Sequence, residues 1–487
     1  MSDLVLRNAR VLGDERPVDL SIVAGRIAEI GARLDAPAAA DELDLGGRWV
    51  LPGLWDAHVH FTQWARFRGR IDVSGSVSAA DAVARLVSGA AAGRWHGDVV
   101  IGRGYQDALW SDAMTGEALD VAFPGRAVVI VSHDLHSVWL NAAAAARFGA
   151  PTGGVLREAE AFAVEIALDA AASPAEDEVA LRAAVAEASA RGVVGIRDLE
   201  MADNPAVWVG RVSAGLDALR VEACIYPDHL VASDARGLRG GSIVPGTSGL
   251  VTVGGLKVFS DGSLNTLTAL THEPYGRAGG EQSVGHAAHP PEGLRELLAE
   301  ARERGLEVAL HAIGDAAVTR ALDAFEAVGA RGTIEHAQLV AEQDLPRFAE
   351  LGIAASVQPQ HAIDDRDVTD AIWGNRAGRA FPYRSLADAG ARLLMGSDAP
   401  VAPLDPWVTI AAAVHRSGDD RESWHSEQEL SREAAIAASV RGAVAVGERA
   451  DLVAVDLDPL RVTPHQLRAM PVALTLVGGR VTHSVGL

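Results

Sequence analysis

The sequence predicts an α/β protein centred on a (β/α)8 barrel, with an inserted subdomain after the first barrel strand and a small β-sandwich domain built from both chain ends. Three observations carry this. Eight short apolar segments follow one another between residues 51 and 444. Ala-rich stretches with helical spacing separate most of them. The chain ends show a different pattern, alternating apolar and polar residues as half-buried strands do.

From the N-terminus, "LVLRNARVLG" and "DLSIVAGRIAEIG" read as strands with a hairpin turn at Gly25, and "ADLVAVDLDP" and "LTLVGGRVTHS" read alike near the C-terminus. Residues 1–50 and 445–487 are therefore expected to form one β domain. The barrel is expected over 51–444, with its strands in "RWVLPGLWDAHVH", "VVGIRDLE", "RVEACIY", "GLKVFSDG", "LEVALHAIGD", "GTIEHAQL", "IAASVQPQH" and "RLLMGSDAP". Near-continuous apolar strands alternating with helices such as "PPEGLRELLAEARERG" mean a parallel sheet covered by helices, and eight such units mean a barrel. About 130 residues separate the first of these strands from the second, far beyond a loop. That stretch holds the strand-like "DVVIGRGY" and "RAVVIVSH" and the helical "SAADAVARLVSGAAAG", and is read as an insert over 62–175 near the barrel mouth.

The chain of 487 residues suits a barrel with additions, and 48% hydrophobic residues can fill a large core. The net charge of −22 and the lack of a Lys/Arg cluster argue against a nucleic-acid partner. Cys224 is the single cysteine, so no disulfide can form within the chain, which agrees with a reducing compartment. The N-terminal stretch has no apolar signal-peptide core, and no apolar run approaches bilayer length. The expectation is a soluble cytoplasmic protein with no membrane partner.

Chemistry-bearing residues collect where barrel enzymes keep their chemistry, at the strand C-termini. The first strand ends with His58 and His60, which share a face because side chains on a strand alternate. Alone, this pair is equally a pair of hydrogen-bonded core histidines. The fourth strand carries Lys257, the fifth ends at His311, the sixth at His336 and the eighth at Asp398. Imidazole and carboxylate are the usual ligands of Zn²⁺ and similar ions, and four His with an Asp and a Lys in this order point to a metal site.

The set resembles the amidohydrolase superfamily of metal-dependent hydrolases, and "LPGLWDAHVH" is similar to its opening signature. Within it the chain resembles amidohydrolase family 3, the group with N-substituted formamide deformylases, through "GRGYQDALW", "HSVWLNAAA", "TGGVLREA", "GLKVFSDGSLNTLTA", "HAIGDAAV", "IEHAQLV", "GSDAPVAPLDPW" and "ADLVAVDLDP". The helical stretch between "AIAASVRGA" and "VAVGERADL" is shorter than in the family pattern. The resemblance implies two divalent ions, expected to be Zn. His58, His60 and Asp398 would hold one, His311 and His336 the other, and Lys257 would bridge them as N6-carboxylysine formed with CO₂. Such a carbamate is anionic, and two adjacent cations favour it over the ammonium. The other reading of Lys257 is an ion pair with Asp261.

By the same resemblance, Asp398 is the catalytic proton acceptor for a metal-activated hydroxide that cleaves a non-peptide C–N bond in a small-molecule amide. A mononuclear deaminase of a cyclic amidine and a non-catalytic scaffold-type relative are the alternatives. Tyr105, Trp110, His136, Trp139 and Asn141 of the insert are candidates for substrate binding or for the insert's own core. His361 is expected to line the pocket. Asp261 and Asp315 are candidates for capping a helix or orienting a ligand, and Arg416 is read as surface. Assembly into a homo-oligomer is left open.

Overall fold

The computed structural model describes residues 3–36, 40–92, 98–151, 154–171, 174–275 and 283–487. Thr152 and Gly153, at the start of "TGGVLREA", lie outside the described residues.

All eight expected barrel strands are present: β1 (Leu54–Val59), β2 (Val193–Asp198), β3 (Arg220–Ile225), β4 (Val251–Phe259), β5 (Val308–Ala312), β6 (Gly332–His336), β7 (Ala354–Val357) and β8 (Leu393–Met395). They form one sheet in chain order, every pair parallel. Every residue of β2, β5, β6 and β7 is buried, as expected for strands covered on both faces. The sheet closes just beyond β8, where Asp398 N–H donates to the His58 carbonyl at 2.8 Å and His60 N–H to that of Ala399 at 2.8 Å. The outer helices bury one stripe. Pro291–Glu303 starts with Pro at its first position and turns Leu294, Leu298 and Ala301 inward, three positions on one helical face.

The termini share an eight-stranded sheet, in which Trp49–Pro52 pairs antiparallel with Leu452–Val455, Val50 opposite Ala454. Its core is Leu6, Leu20, Ile22, Ile27, Leu452, Leu474 and Leu476. The hairpin turn falls at Ala24 and Gly25, both with positive φ; a Cβ on Gly25 would come within 2.8 Å of the Gly478 carbonyl oxygen, so glycine is required there.

The long stretch after β1 is a layered α/β unit with a five-stranded sheet of Ile71–Asp72, Val99–Tyr105, Ala127–Ser132, Ser137–Leu140 and Gly154–Arg157. Ala127–Ser132 is fully buried and feeds two cores by alternation. Val128 and Ile130 face the side of Leu86 and Leu119, while Val129 and Val131 face that of Ala144, Ala161 and Val164. The second core also contains Val401, from the segment after β8, so the insert rests on the barrel mouth. Among the described residues no helix is long and apolar enough to cross a membrane.

Candidate metal centre

Parallel register sets the floor of the site. Phe259 lies beside His311, His311 beside Glu335, and Ala312 beside His336, so consecutive strands deliver side chains to one level. His58 lies within β1, and His60 follows it at the start of helix Phe61–Phe67. His58, His60, Lys257, His311, His336 and Asp398 all line one cavity of about 30 Å³. Their rings are adjacent: 4.9 Å between the centroids of His58 and His336, 4.5 Å between His311 and His336, and 5.6 Å between His58 and His60. His336 and Asp398 have φ of 73° and 58°, a region that non-glycine residues enter at a cost of about 1–3 kcal/mol when surrounding structure imposes it. Strain at these two positions is the pattern of a functional site rather than of a core.

Ligand atoms of His58, His336 and Asp398 lie within 4.8 Å of one another, close enough to converge on one cation. This triangle takes one histidine from each of the two expected metal sites. His60 Nε2 is 3.3 Å and His58 Nε2 3.4 Å from Asp398 Oδ1. Burial, reinforced by the Lys257 charge, lowers His58 to about 4. Burial and neighbouring positive groups hold His311 and His336 well below the usual imidazole range. Neutral imidazoles are what a cation requires. Burial opposes ionisation of Asp398, yet the adjoining His58 and the hydrogen bond from His60 keep its carboxyl well below the usual range. Among the described residues, the Nδ1 atoms of His60 and His336 are buried without a hydrogen-bond partner. Buried lone pairs left over in a ring of histidines fit a metal better than they fit a core.

Lys257 is 1% exposed, with Nζ 3.5 Å from His58 Nε2 and 5.0 Å from the centre of the Phe259 ring. Burial lowers its pKa, against the pull of the Glu335 carboxylate, and so favours the neutral amine. Among the described residues Lys257 makes no ion pair. Asp261 is otherwise engaged: its carboxylate accepts from the backbone N–H of Leu270 at 2.8 Å, Gly314 at 2.9 Å and Ile313 at 3.0 Å. The ion pair between the two is therefore not formed. Asp315 accepts from His272 N–H at 2.9 Å at the start of its helix, a positioning contact away from the cavity.

The substrate-binding candidates divide. His136 lines the cavity, its ring 5.5 Å from that of His311, and donates from Nδ1 to Glu158 at 2.9 Å. Burial works against the imidazolium, but the Glu158 carboxylate holds it up to about 9. His361 lines an adjoining cavity that shares Asp134, His136, His336, Asp398 and Val401, with Nε2 3.9 Å from Asp398 Oδ2. Tyr105, Trp139 and Asn141 instead belong to the insert's interior, a correction to their candidacy. Tyr105 hydroxyl hydrogen-bonds Ser137 at 2.7 Å, Trp139 Nε1 donates to the Thr115 carbonyl at 3.0 Å, and Asn141 caps a helix. Trp110 packs on the same core and borders a separate depression with Asp107 and Arg157. Arg416 is fully buried, not at the surface; it donates to the carbonyls of Phe381 at 2.8 Å and Trp424 at 2.9 Å.

Sequence reading missed the residues that hold the candidate ligands. Glu335, fully buried, accepts from His58 Nδ1–H at 2.7 Å, which turns the Nε2 lone pair toward the cavity. Although burial opposes it, the His58 hydrogen bond brings Glu335 down to about 2. Arg197 supports Glu335 at 3.3 Å and Glu222 at 3.0 Å. Asp56 accepts from Ser397 N–H at 2.9 Å and His58 N–H at 3.1 Å, tying the segment after β8 to β1. The adjacency of Glu335 to His336 was the available signal.

The amidohydrolase family profile matches residues 41–483. The chain belongs to the amidohydrolase family. N-substituted formamide deformylase of Arthrobacter pascens is 24% identical over 98% of both chains. The protein LONG AFTER FAR-RED 3 of Arabidopsis thaliana is 29% identical over 85% of this chain and 78% of its own. An uncharacterized metal-dependent hydrolase of Pyrococcus horikoshii superposes with a TM-score of 0.77 at 25% identity, covering 95% of this chain and 99% of that one. Membership of this family and likeness to a metal-dependent hydrolase agree with a hydrolytic role for the histidine-lined cavity.

Proposed function

We propose that this amidohydrolase cleaves the C–N bond of a small-molecule amide at a centre of two divalent ions, expected to be Zn. His58, His60, His311, His336 and Asp398 are the protein ligands in this reading, and Lys257 is carboxylated. The observation that carries it is the cluster of buried, neutral imidazoles lining one cavity with Asp398, with two Nδ1 atoms lacking any partner among the described residues. A bound divalent ion supplies Lewis acidity, lowering the pKa of a water and polarising a carbonyl. Glu335 fixes the His58 tautomer through Nδ1. Lys257, held toward its neutral form, has the lone pair needed to add CO₂. Asp398 takes the proton of the attacking water and returns it to the leaving nitrogen, so amide and water become carboxylic acid and amine.

The test is a hydrolase screen on Zn²⁺- and Mn²⁺-loaded protein, with bicarbonate present, using formamides, N-acyl amino acids and cyclic amides. Release of amine from at least one amide, with two ions per chain by elemental analysis, is expected. Ammonia from a cyclic amidine with one ion per chain would assign the chain to deamination, a reading the His58–His336–Asp398 triangle favours because it supplies a full ligand set for one cation.

A further inference from the structure

Helix Ala159–Ala170 of the insert turns one stripe inward, formed by Ala161, Val164, Glu165 and Leu168. Three of the four are the apolar residues such a stripe calls for. The fourth is a glutamate, 1% exposed, and among the described residues neither of its carboxyl oxygens has a hydrogen-bond partner. Glu165 lines the cavity of the metal centre. Gln63, 3% exposed, lines the same cavity, and its Oε1 is likewise buried and unpartnered. Among the described residues, the lining of this one cavity therefore presents three acceptor atoms and leaves all three unsatisfied. Phe162, Met201 and Val401 supply apolar surface to the same cavity.

Leaving a buried carboxyl without a partner is costly, and native structures rarely do so without a use. Burial pushes Glu165 up to about 8. The charged groups acting on it are Arg70, which opposes that rise, and Asp169, Glu200 and His136. Arg70 forms no ion pair with Glu165; its nearest carboxylate is Asp169, at 3.9 Å. His136 is already committed to Glu158 and Asp134 to the hydroxyls of Ser132 and Ser263. What would satisfy Glu165 and Gln63 together is a group with several N–H donors and a positive charge.

We propose that Glu165 and Gln63 form a recognition subsite for a cationic nitrogen group, a protonated amine or amidine, on the substrate, whose apolar body lies against Phe162, Met201 and Val401. This rests on the amide-hydrolase reading and adds the substrate class to it: small amides with a cationic end. A charge-assisted hydrogen bond in a water-poor cavity is stronger than a neutral one, so the subsite discriminates against neutral isosteres.

The test uses the full-length, metal-loaded protein and its E165Q variant. Calorimetric titration with n-butylammonium, with butan-1-ol as neutral control, reads the subsite without any turnover. The ratio of kcat/KM for N-formyl-1,4-diaminobutane over N-pentylformamide reads it during turnover. Expected are binding of butylammonium but not of butanol to the parent protein, loss of that binding in E165Q, and a fall of the ratio by about tenfold or more. The Tm of E165Q should equal or exceed that of the parent, because an unpaired buried carboxyl is removed. No butylammonium binding to the parent protein overturns the proposal. So does an unchanged ratio, or a lowered Tm with both substrates losing equally, the mark of a structural pair with Arg70. Butylammonium binding that depends on Glu165, with no amide hydrolysed, would retain the subsite and sink the amide reading.

Discussion

The floor and the wall of the cavity are built by different means. The floor comes from barrel strands: His58, Lys257, His311 and His336 are placed by register, and the three imidazole rings lie against one another. The wall comes from the insert and the loops above the barrel: His136 and Glu158 satisfy each other at 2.9 Å, whereas Glu165 faces the cavity with no partner among the described residues. A floor set by backbone pairing can be reused for many substrates, while a wall set by helix packing varies freely. On the proposed function, chemistry belongs to the floor and selectivity to the wall, and substitutions in each should have different signatures.

Two floor substitutions should have the largest effects on turnover. Lys257→Ala is expected to lose metal and activity together, with partial rescue of both by acetate or propionate. Such an ion supplies a negative charge and two oxygens, but must give up translational freedom that the tethered group has already lost. Activity against carboxylate concentration, with chloride at equal ionic strength, checks this; two bound metals and normal turnover without added anion would remove Lys257 as the bridge. Asp398→Asn keeps the shape and one ligand oxygen but cannot accept a proton. A loss of about 10²–10⁴-fold in kcat at full metal occupancy is expected. An unchanged kcat would take proton transfer away from Asp398.

Glu335→Gln acts one step out. It removes the carboxylate that orients His58 through Nδ1. A loss of metal affinity of about 10–100-fold is expected, read by competition with a chelator. Turnover at saturating metal should fall much less. Equal losses in both would mean that Glu335 meets the substrate directly.

The difference between floor and wall also explains what the sequence made legible. His58, His60, Lys257, His311, His336 and Asp398 could be placed because strand ends of a barrel converge on one face whatever the helices do. All eight strands could be found because strands covered by helices read as short, mostly apolar runs; four of them are buried at every residue. Glu335 and Glu165 could not. Beyond the adjacency of Glu335 to His336, a glutamate in a strand or an Ala-rich helix carries no signature of its role, which depends on which way a distant element turns it. Tyr105 and Trp139 stayed open between pocket and core, and Arg416 was misplaced at the surface, because aromatic and cationic residues near a barrel mouth suit a pocket, a core or a surface equally well. Only packing assigned Trp139 to the insert's interior and buried Arg416 under Trp424.

Glu165 offers a wall test that needs no substrate. Its carboxyl titrates near 8 in the folded protein because burial disfavours the charge, against a usual value of 4.5. Between those values the folded chain holds a proton that the unfolded chain has released. Stability must therefore fall as pH rises through that window, by at most about 1.4 kcal/mol per pH unit. E165Q carries no such proton, so its stability relative to the parent should rise from pH 4.5 to 8 and then level off. Denaturant unfolding of metal-free protein at three or four pH values checks this. A difference that stays flat across the window would mean the carboxyl is already ionised and paired.

Asn141→Ala should have the smallest effect on turnover, and it separates the wall from the scaffold behind it. The Asn141 side chain is 1% exposed; its Oδ1 accepts from Val128 N–H and Ala144 N–H, both at 3.0 Å, and its Nδ2 donates to the Arg126 carbonyl at 2.8 Å. One residue thus caps helix Ala142–Phe148 and ties it to the central strand of the insert sheet. Alanine removes the acceptor from two buried donors at once. A lost cap costs about 0.5–2 kcal/mol, and an unsatisfied buried donor about 1–3 kcal/mol. A destabilisation of about 2 kcal/mol is expected, since a loosened helix end can reach water. With the folded protein quantified, kcat/KM should stay within about twofold of the parent value, because Asn141 is not among the residues that line the cavity. A fall in kcat/KM larger than the loss of folded protein would put Asn141 back among the groups that meet the substrate, and the boundary between wall and scaffold would have to be drawn deeper in the insert.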